Sequence, residues 1–218
     1  MNTQIPKYLI MLTLALTLFS GCGDDDITGD SEPYFDWFMF PMSAGDYWVF
    51  SLIDTVSGQA DTLEVRIIDT TTIFTEKATT WTFDFVHNNM HPDELQFVSL
   101  VADTLKFYQD RCSEPYRILI LPFKEESSWD HSYQSAFHYT NMVVDYGMVS
   151  VPAGIFKAYQ IDTEFQTSIP EALWRVSIWI SPFKGIVRME YVEGFMIPDK
   201  DEIWELIEYH VDTEHGAS

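Results

Sequence analysis

The 218-residue sequence contains few basic residues, few cysteines and no long apolar run. Only 12 Lys and Arg stand against 34 Asp and Glu, and the formal net charge is −22 at pH 7. A surface of this sign repels phosphate groups, so we expect no nucleic acid among the partners. Two cysteines are too few for a disulfide-stapled scaffold. The longest apolar stretch, Tyr8–Phe19, is shorter than the roughly 20 residues of a membrane-spanning helix.

Apolar and aromatic residues are abundant by contrast. Hydrophobic residues make up 46% of the chain and aromatic residues 16%. This composition excludes a disordered or collagen-like chain and predicts a folded domain with a sizeable core.

The first 21 residues have the three parts of a secretory signal peptide. Lys7 supplies a positive charge, Tyr8–Phe19 supplies the apolar region, and Ser20-Gly21 supplies small residues before Cys22. We therefore expect residues 1–21 to be a signal peptide that is removed on export.

The stretch Leu18-Phe19-Ser20-Gly21-Cys22 resembles the lipobox of bacterial lipoproteins, although Phe19 stands where Leu is common. The resemblance implies that Cys22 carries a diacylglyceryl group and that its new amine is acylated, for example with palmitate. Such a lipid anchor would hold the protein on a membrane. Gly23 stands where proteobacterial lipoproteins retained at the inner membrane have Asp, so the resemblance implies the outer membrane, on either its periplasmic or its external side.

Residues 22–33 form an acidic stretch without aromatic residues, which predicts a tether between Cys22 and a single domain over residues 34–218. The acids behind Cys22 also resemble the surface-export signals of some Bacteroidota lipoproteins. A calcium loop does not fit the spacing, because Phe35 stands where the bidentate Glu of such a loop belongs.

The remainder of the chain alternates between apolar and polar residues with a period of two. Trp48, Phe50 and Leu52 share one face of such a segment, and turn residues such as Ser57-Gly58 and Pro152-Ala153-Gly154 separate the segments. Short connections cannot hold the crossover helices of a parallel sheet. We predict an all-β domain, an antiparallel curved sheet or an open β-barrel or β-roll of about ten to twelve strands.

The C-terminal segment and an internal echo refine this prediction. Ile203–His210 fits either a helix or a strand, and we predict a strand with Ile203, Ile207 and Tyr209 on one face. Phe40-Pro41 precedes Trp48 in the way that Leu121-Pro122 precedes Trp129. The echo predicts a sheet made of two similar halves, with chance as the alternative.

Three motifs also resemble a diffuse group of uncharacterised bacterial outer-membrane lipoproteins. They are Gly45-Asp46-Tyr47-Trp48-Val49-Phe50, Val151-Pro152-Ala153-Gly154 and Ser181-Pro182-Phe183-Lys184-Gly185. The resemblance spans Phe40 to Val211 and implies a final strand, but it implies no activity.

Candidate chemical sites are sparse. His87 and His91, with Asp93 and Glu94 behind them, offer donors for zinc or another divalent ion, but they lie in a predicted loop where polar residues are ordinary. We therefore assign no metal and no cofactor. Cys112 has no partner if Cys22 carries lipid, and we expect it to be a buried, inert thiol.

Catalytic patterns are equally weak. Asp130-His131-Ser132 contains the residue types of a triad, yet consecutive residues on a strand point to opposite faces. We expect no catalytic residues and no enzyme. The predicted role is a non-catalytic binding or structural module of the cell envelope. We expect it to contact the membrane through its anchor and to have either an apolar small molecule or an envelope protein as a partner. The alternative is a lipocalin-like carrier of a hydrophobic or lipid ligand, and a carboxylate-based hydrolase is third. A packed interior favours the first and an apolar cavity the second, and we expect a packed core.

Overall fold

The structure, a computed structural model, describes residue 35 and residues 39–87, 90–134, 137–166 and 172–212. The predicted signal peptide, Cys22 and the tether lie outside the described residues. Glu32–Ser218 forms one compact unit. Within the described part of the chain, no helix has the length and apolar character needed to cross a membrane.

The described residues form twelve strands and no α-helix, which confirms the all-β prediction. The strands are β1 (Tyr47–Asp54), β2 (Ala60–Ile73), β3 (Glu76–Phe85), β4 (Glu94–Val101), β5 (Thr104–Tyr108), β6 (Arg117–Ile120), β7 (Ser128–Tyr133), β8 (Phe137–Val151), β9 (Gly154–Gln166), β10 (Ala172–Ser181), β11 (Gly185–Phe195) and β12 (Ile197–His210).

All twelve strands belong to one antiparallel sheet that curls into a nearly closed barrel. Each strand pairs with its neighbours in sequence, except that β6 and β7 form the two edges and β1 pairs with β12. The sheet therefore consists of two six-stranded meanders, β1–β6 and β7–β12. The two halves begin near Trp48 and Trp129, in agreement with the predicted internal echo.

Side chains of β7 bridge the two sheet edges. The Trp129 indole Nε1 donates to the carbonyl of Ile118 at 2.9 Å, and His131 Nε2 donates to the carbonyl of Pro115 at 2.7 Å. These bonds satisfy carbonyl groups in and next to β6 that no β7 backbone ladder reaches. They hold the edges of the barrel together at the seam.

Residues Ile197–His210 form a strand, β12, as predicted, but the side chains that point into the barrel are not the predicted ones. Glu202 and Leu206 are buried in the interior, whereas Ile207 is exposed. The register against β1 shifts where Phe50 pairs with Leu206 and Val49 pairs with Glu208, so Ile207 is the extra residue of a β-bulge. Period-two alternation predicts the wrong face because a charged residue, Glu202, lies on the inward side of β12.

The barrel has two distinguishable ends. One end carries the β2–β3, β4–β5, β8–β9 and β10–β11 turns, and we name it the packed end. The other end carries the β1–β2, β3–β4, β5–β6, β7–β8, β9–β10 and β11–β12 turns, and we name it the hollow end. Inward side chains at the packed end are fully buried and mostly aliphatic. They include Leu105, Leu119, Val143, Ile161 and Ile178.

Three rings fill the packed end further. Phe35 forms an isolated bridge with Phe123, and the two rings lie 4.9 Å apart. Tyr159 contacts both rings at centroid distances of 5.9 and 5.7 Å. None of the three is exposed, so the segment before β1 and the segment after β6 close this end of the barrel.

Candidate functional site: a cavity at the hollow end

The hollow end holds a cavity of about 460 Å³ that is partly open to solvent. Its size falls within the roughly 300–1,000 Å³ of small-molecule sites. The expectation of a uniformly packed core is therefore wrong for this half of the interior. Every strand contributes to the wall, because each sends alternate side chains inward.

Most of the wall is aromatic. The rings that line it are Trp48, Phe50, Trp81, Phe83, Phe85, Phe107, Tyr116, Tyr133, Phe137, Tyr139, Phe165, Trp174, Tyr191 and Trp204. Trp48 and Trp81 stack at 5.3 Å, and Phe165 and Trp174 stack at 4.3 Å. At the hollow end, the large flat rings leave a space between them. At the packed end, by contrast, the aliphatic side chains interdigitate and fill the interior.

A charged group on β12 forms one side of the cavity wall. Glu202 is 1% exposed, and its carboxylate accepts hydrogen bonds from three side chains. His91 Nε2 lies 2.8 and 3.0 Å from its two carboxylate oxygens, Lys200 Nζ lies 2.9 Å from Oε1, and Trp204 Nε1 donates to Oε2 at 3.1 Å. A carboxylate only accepts, so His91 carries its hydrogen on Nε2. The buried charge is thereby compensated.

These bonds also set the ionisation of Glu202. Burial alone raises the pKa of Glu202, but the hydrogen bonds from His91 and Lys200 outweigh it, so the pKa is lowered. Glu202 is therefore an ionised carboxylate at neutral pH.

Other polar groups in the wall are paired with each other. Thr163 Oγ1 donates to Asn141 Oδ1 at 2.8 Å, the Tyr116 hydroxyl donates to Gln96 at 2.7 Å, and Trp174 Nε1 donates to the Tyr191 hydroxyl at 2.7 Å. Such pairs leave the ring faces as the surface available to a ligand.

Arg117 is the exception on the opposite side. It opens β6, lies opposite Phe107 in the β5–β6 register and lines the cavity. Among the described residues, no side chain or carbonyl forms an ion pair or hydrogen bond with its guanidinium. Burial lowers the pKa of Arg117, with Tyr116 and Tyr139 acting in the other direction, yet a guanidinium stays charged in a protein.

The candidate metal ligands weighed in the sequence are not gathered into a site. His91 binds Glu202, Asp93 accepts from the Phe85 amide at 2.8 Å, and Glu94 accepts from Gln96 at 3.0 Å. The His87 amide donates to Asp61. In the part of the chain that the structure describes, no three His, Cys, Asp or Glu side chains are placed to share a metal ion.

The predicted separation of Asp130, His131 and Ser132 is confirmed. His131 lines the cavity, whereas Asp130 and Ser132 are exposed on the outer face of β7. Ser132 instead pairs with His138 across the β7–β8 ladder at 2.7 Å.

Cys112 is exposed, so the expectation of a buried thiol is wrong. It lies in the β5–β6 connection, where its amide donates to Asp110. A turn has no inward face, so the rule that a lone thiol is buried does not apply there.

Sequence reasoning missed Arg117, Lys200 and Glu202. A signal was present: Arg117 shares a face with Leu119 and Leu121, and Glu202 shares one with Leu206. A charged residue in the inward register of a strand indicates a polar interior site.

Comparison with known proteins supports the fold. No protein family matches the sequence, and no curated protein matches it either. A solved structure from Bacteroides fragilis NCTC 9343, named as an exported protein with a YmcC-like fold, matches with a TM-score of 0.51 and 13% identity, over 82% of this chain and 100% of that chain. A structure named as a lipoprotein from Parabacteroides distasonis ATCC 8503 gives a TM-score of 0.43 and 14% identity, over 81% and 99%. The first of these establishes that the chain shares the overall fold of that protein.

Proposed function

We propose that this domain is a non-catalytic carrier or receptor for an apolar small molecule, held in the cavity at the hollow end. The observation that carries the proposal is the cavity of about 460 Å³ with a mostly aromatic wall. A ligand that fills this largely apolar space binds only the folded state and therefore stabilises it. The cavity therefore favours the carrier over the structural module that the sequence first suggested.

A lipid anchor on Cys22 at the outer membrane belongs to the same proposal. It is supported by the lipobox resemblance of Leu18–Cys22 and by the exported name of the B. fragilis structure with the same fold. Cys22→Ser in the full chain should leave an uncleaved precursor without acyl groups. Cleavage to the parent's size, with unchanged membrane attachment, would contradict the anchor and leave the cavity proposal intact.

A binding role fits the cavity better than hydrolysis. A carboxylate-based hydrolase needs a carboxylic acid with a raised pKa beside an ionised partner. The buried carboxylate in this wall, Glu202, has a lowered pKa and is held by His91 and Lys200. These contacts support a positioning role for Glu202.

The test uses the unit Glu32–Ser218, which contains all twelve strands and the whole described core and is therefore expected to fold alone. The uncharged probe N-phenyl-1-naphthylamine should become fluorescent in its presence, with saturation at about one probe per chain. Native mass spectrometry of the full chain from its host should also reveal a bound apolar molecule.

Two matched substitutions localise the binding. Val176 is 3% exposed and lines the cavity, so Val176→Phe should weaken probe binding about tenfold by filling the space. Val144 is 37% exposed on the same barrel and does not line the cavity, so Val144→Phe should bind like the parent. Absence of saturable binding, or equal effects of the two variants, would overturn the proposal.

A further inference from the structure

We propose that the ligand of this cavity is an amphiphile with one anionic head group, a carboxylate or a phosphate monoester, which binds Arg117. The inference rests on the proposed function and specifies the chemistry of the ligand. Its basis is the position of Arg117 in a mostly aromatic cavity wall, where no described residue pairs with its guanidinium.

The two described cations of the cavity wall, Lys200 and Arg117, differ in their partners. Lys200 Nζ lies 2.9 Å from Glu202 Oε1, so its charge is compensated within the protein. Arg117 has no such partner among the described residues, although the chain contains 34 acidic residues. Arg117 is partly buried in the cavity wall, and a guanidinium without a protein partner binds an anionic acceptor more strongly than a neutral one. An anion brought by the ligand supplies that acceptor.

Arg117 is surrounded by uncharged aromatic side chains. Its flanking groups are phenols and rings: Tyr116, Tyr139 and Phe107. Burial raises the pKa of Tyr116 to about 12 and also raises the pKa of Tyr139, so both phenols are neutral. Neither neutralises the guanidinium. The Tyr116 hydroxyl is already engaged with Gln96, which leaves the guanidinium hydrogens for an incoming acceptor.

Arg117 and the deepest aromatic rings lie at different depths in the cavity. Arg117 lies at the first position of β6, next to the turns of the hollow end, whereas Trp48 and Trp81 lie deeper in the cavity wall toward the packed end. A head group bound at Arg117 therefore leaves its tail directed along the aromatic wall. A guanidinium binds carboxylate and phosphate through two parallel N–H donors, which suits it to this role.

The test compares ligands that share a tail and differ in the head group. Dodecanoate, dodecyl phosphate and 1-dodecanol displace N-phenyl-1-naphthylamine from Glu32–Ser218 at concentrations below micelle formation. The parent should bind at least one of the two anions at least tenfold more tightly than the alcohol, and the better anion identifies the head group. Equal affinity of the alcohol and both anions would overturn the inference.

Variants assign the preference to Arg117. Arg117→Met should reduce the anion preference to about twofold or less while probe and alcohol still bind, and Arg117→Lys should restore part of it. Arg66→Met is the matched control, because Arg66 is 42% exposed, pairs with Glu64 and does not line the cavity. An anion preference that survives Arg117→Met, or that is lost only in Lys200→Met, would overturn the inference.

Failure of the two proposals can be told apart. If neither the probe nor 1-dodecanol binds, the carrier function itself is wrong. If both bind but the anions gain nothing, the carrier stands and only the head-group inference is wrong.

Discussion

The two ends of the barrel are built from the same strands yet differ in what fills them. At the packed end, aliphatic side chains pack against the Phe35, Phe123 and Tyr159 rings, whereas at the hollow end aromatic rings surround a cavity of about 460 Å³. Close packing stabilises a fold, and a cavity sacrifices part of that stabilisation for binding. The difference implies that stability resides mainly at the packed end and ligand binding at the hollow end.

The largest expected effect is on stability at the packed end. Phe123 is fully buried against Phe35 and Tyr159, so Phe123→Ala should lower the free energy of unfolding by about 4 kcal/mol. Phe83 lines the cavity and is only partly buried, so Phe83→Ala should cost about 1 kcal/mol because fewer contacts are lost. Urea denaturation of both variants measures the difference. Equal losses would mean that the two ends do not differ in their contribution to stability.

The next effect concerns the charged part of the hollow end. Glu202→Gln leaves Lys200 and His91 without their carboxylate, and we expect a loss of about 3 kcal/mol at neutral pH. Glu94 is exposed and accepts a hydrogen bond from Gln96, so Glu94→Gln serves as a control with a change below about 0.5 kcal/mol.

The same variant predicts a pH dependence. The pKa of Glu202 is lowered in the folded state from its usual value of 4.5. Its stabilisation is therefore complete above that value and is lost as the pH falls through the lower, folded pKa. The difference in stability between parent and Glu202→Gln should shrink on acidification from pH 6 to about pH 3. A difference that stays constant with pH would contradict the assignment of an ionised Glu202.

How far the sequence predicts this molecule depends on the same contrast between the two ends. Alternation and turn residues predict the strands, including the strand over Ile203–His210. The cavity could not be predicted, because the alternation of apolar and polar residues is the same whether the inward side chains touch one another or surround a cavity. Nor could the contact of His91 with Glu202, which joins residues 111 positions apart.

A smaller effect separates overpacking from filling. Val143 is fully buried at the packed end, so Val143→Phe should destabilise the domain by about 2 kcal/mol. Val176→Phe adds the same atoms beside the cavity and should change stability by less than about 0.5 kcal/mol, since space is available. Thermal denaturation of the two variants provides the comparison. A similar loss in both would indicate that the cavity is filled by neighbouring side chains in solution.

The smallest expected effect is a gain at the packed end. The Tyr159 hydroxyl is buried and, within the described residues, has no hydrogen-bond partner, and burial raises the pKa of Tyr159 far above its usual value. Burying an unsatisfied hydroxyl is unfavourable, so Tyr159→Phe should raise the free energy of unfolding by about 1 kcal/mol while keeping the ring contacts with Phe35 and Phe123. Tyr116→Phe is the contrasting variant, because the Tyr116 hydroxyl donates to Gln96 and its removal should lower stability by about 1 kcal/mol. Urea denaturation measures both changes. A loss of stability in Tyr159→Phe would show that the hydroxyl is satisfied, by a water molecule for instance, and that the packed end is less dry than its burial indicates.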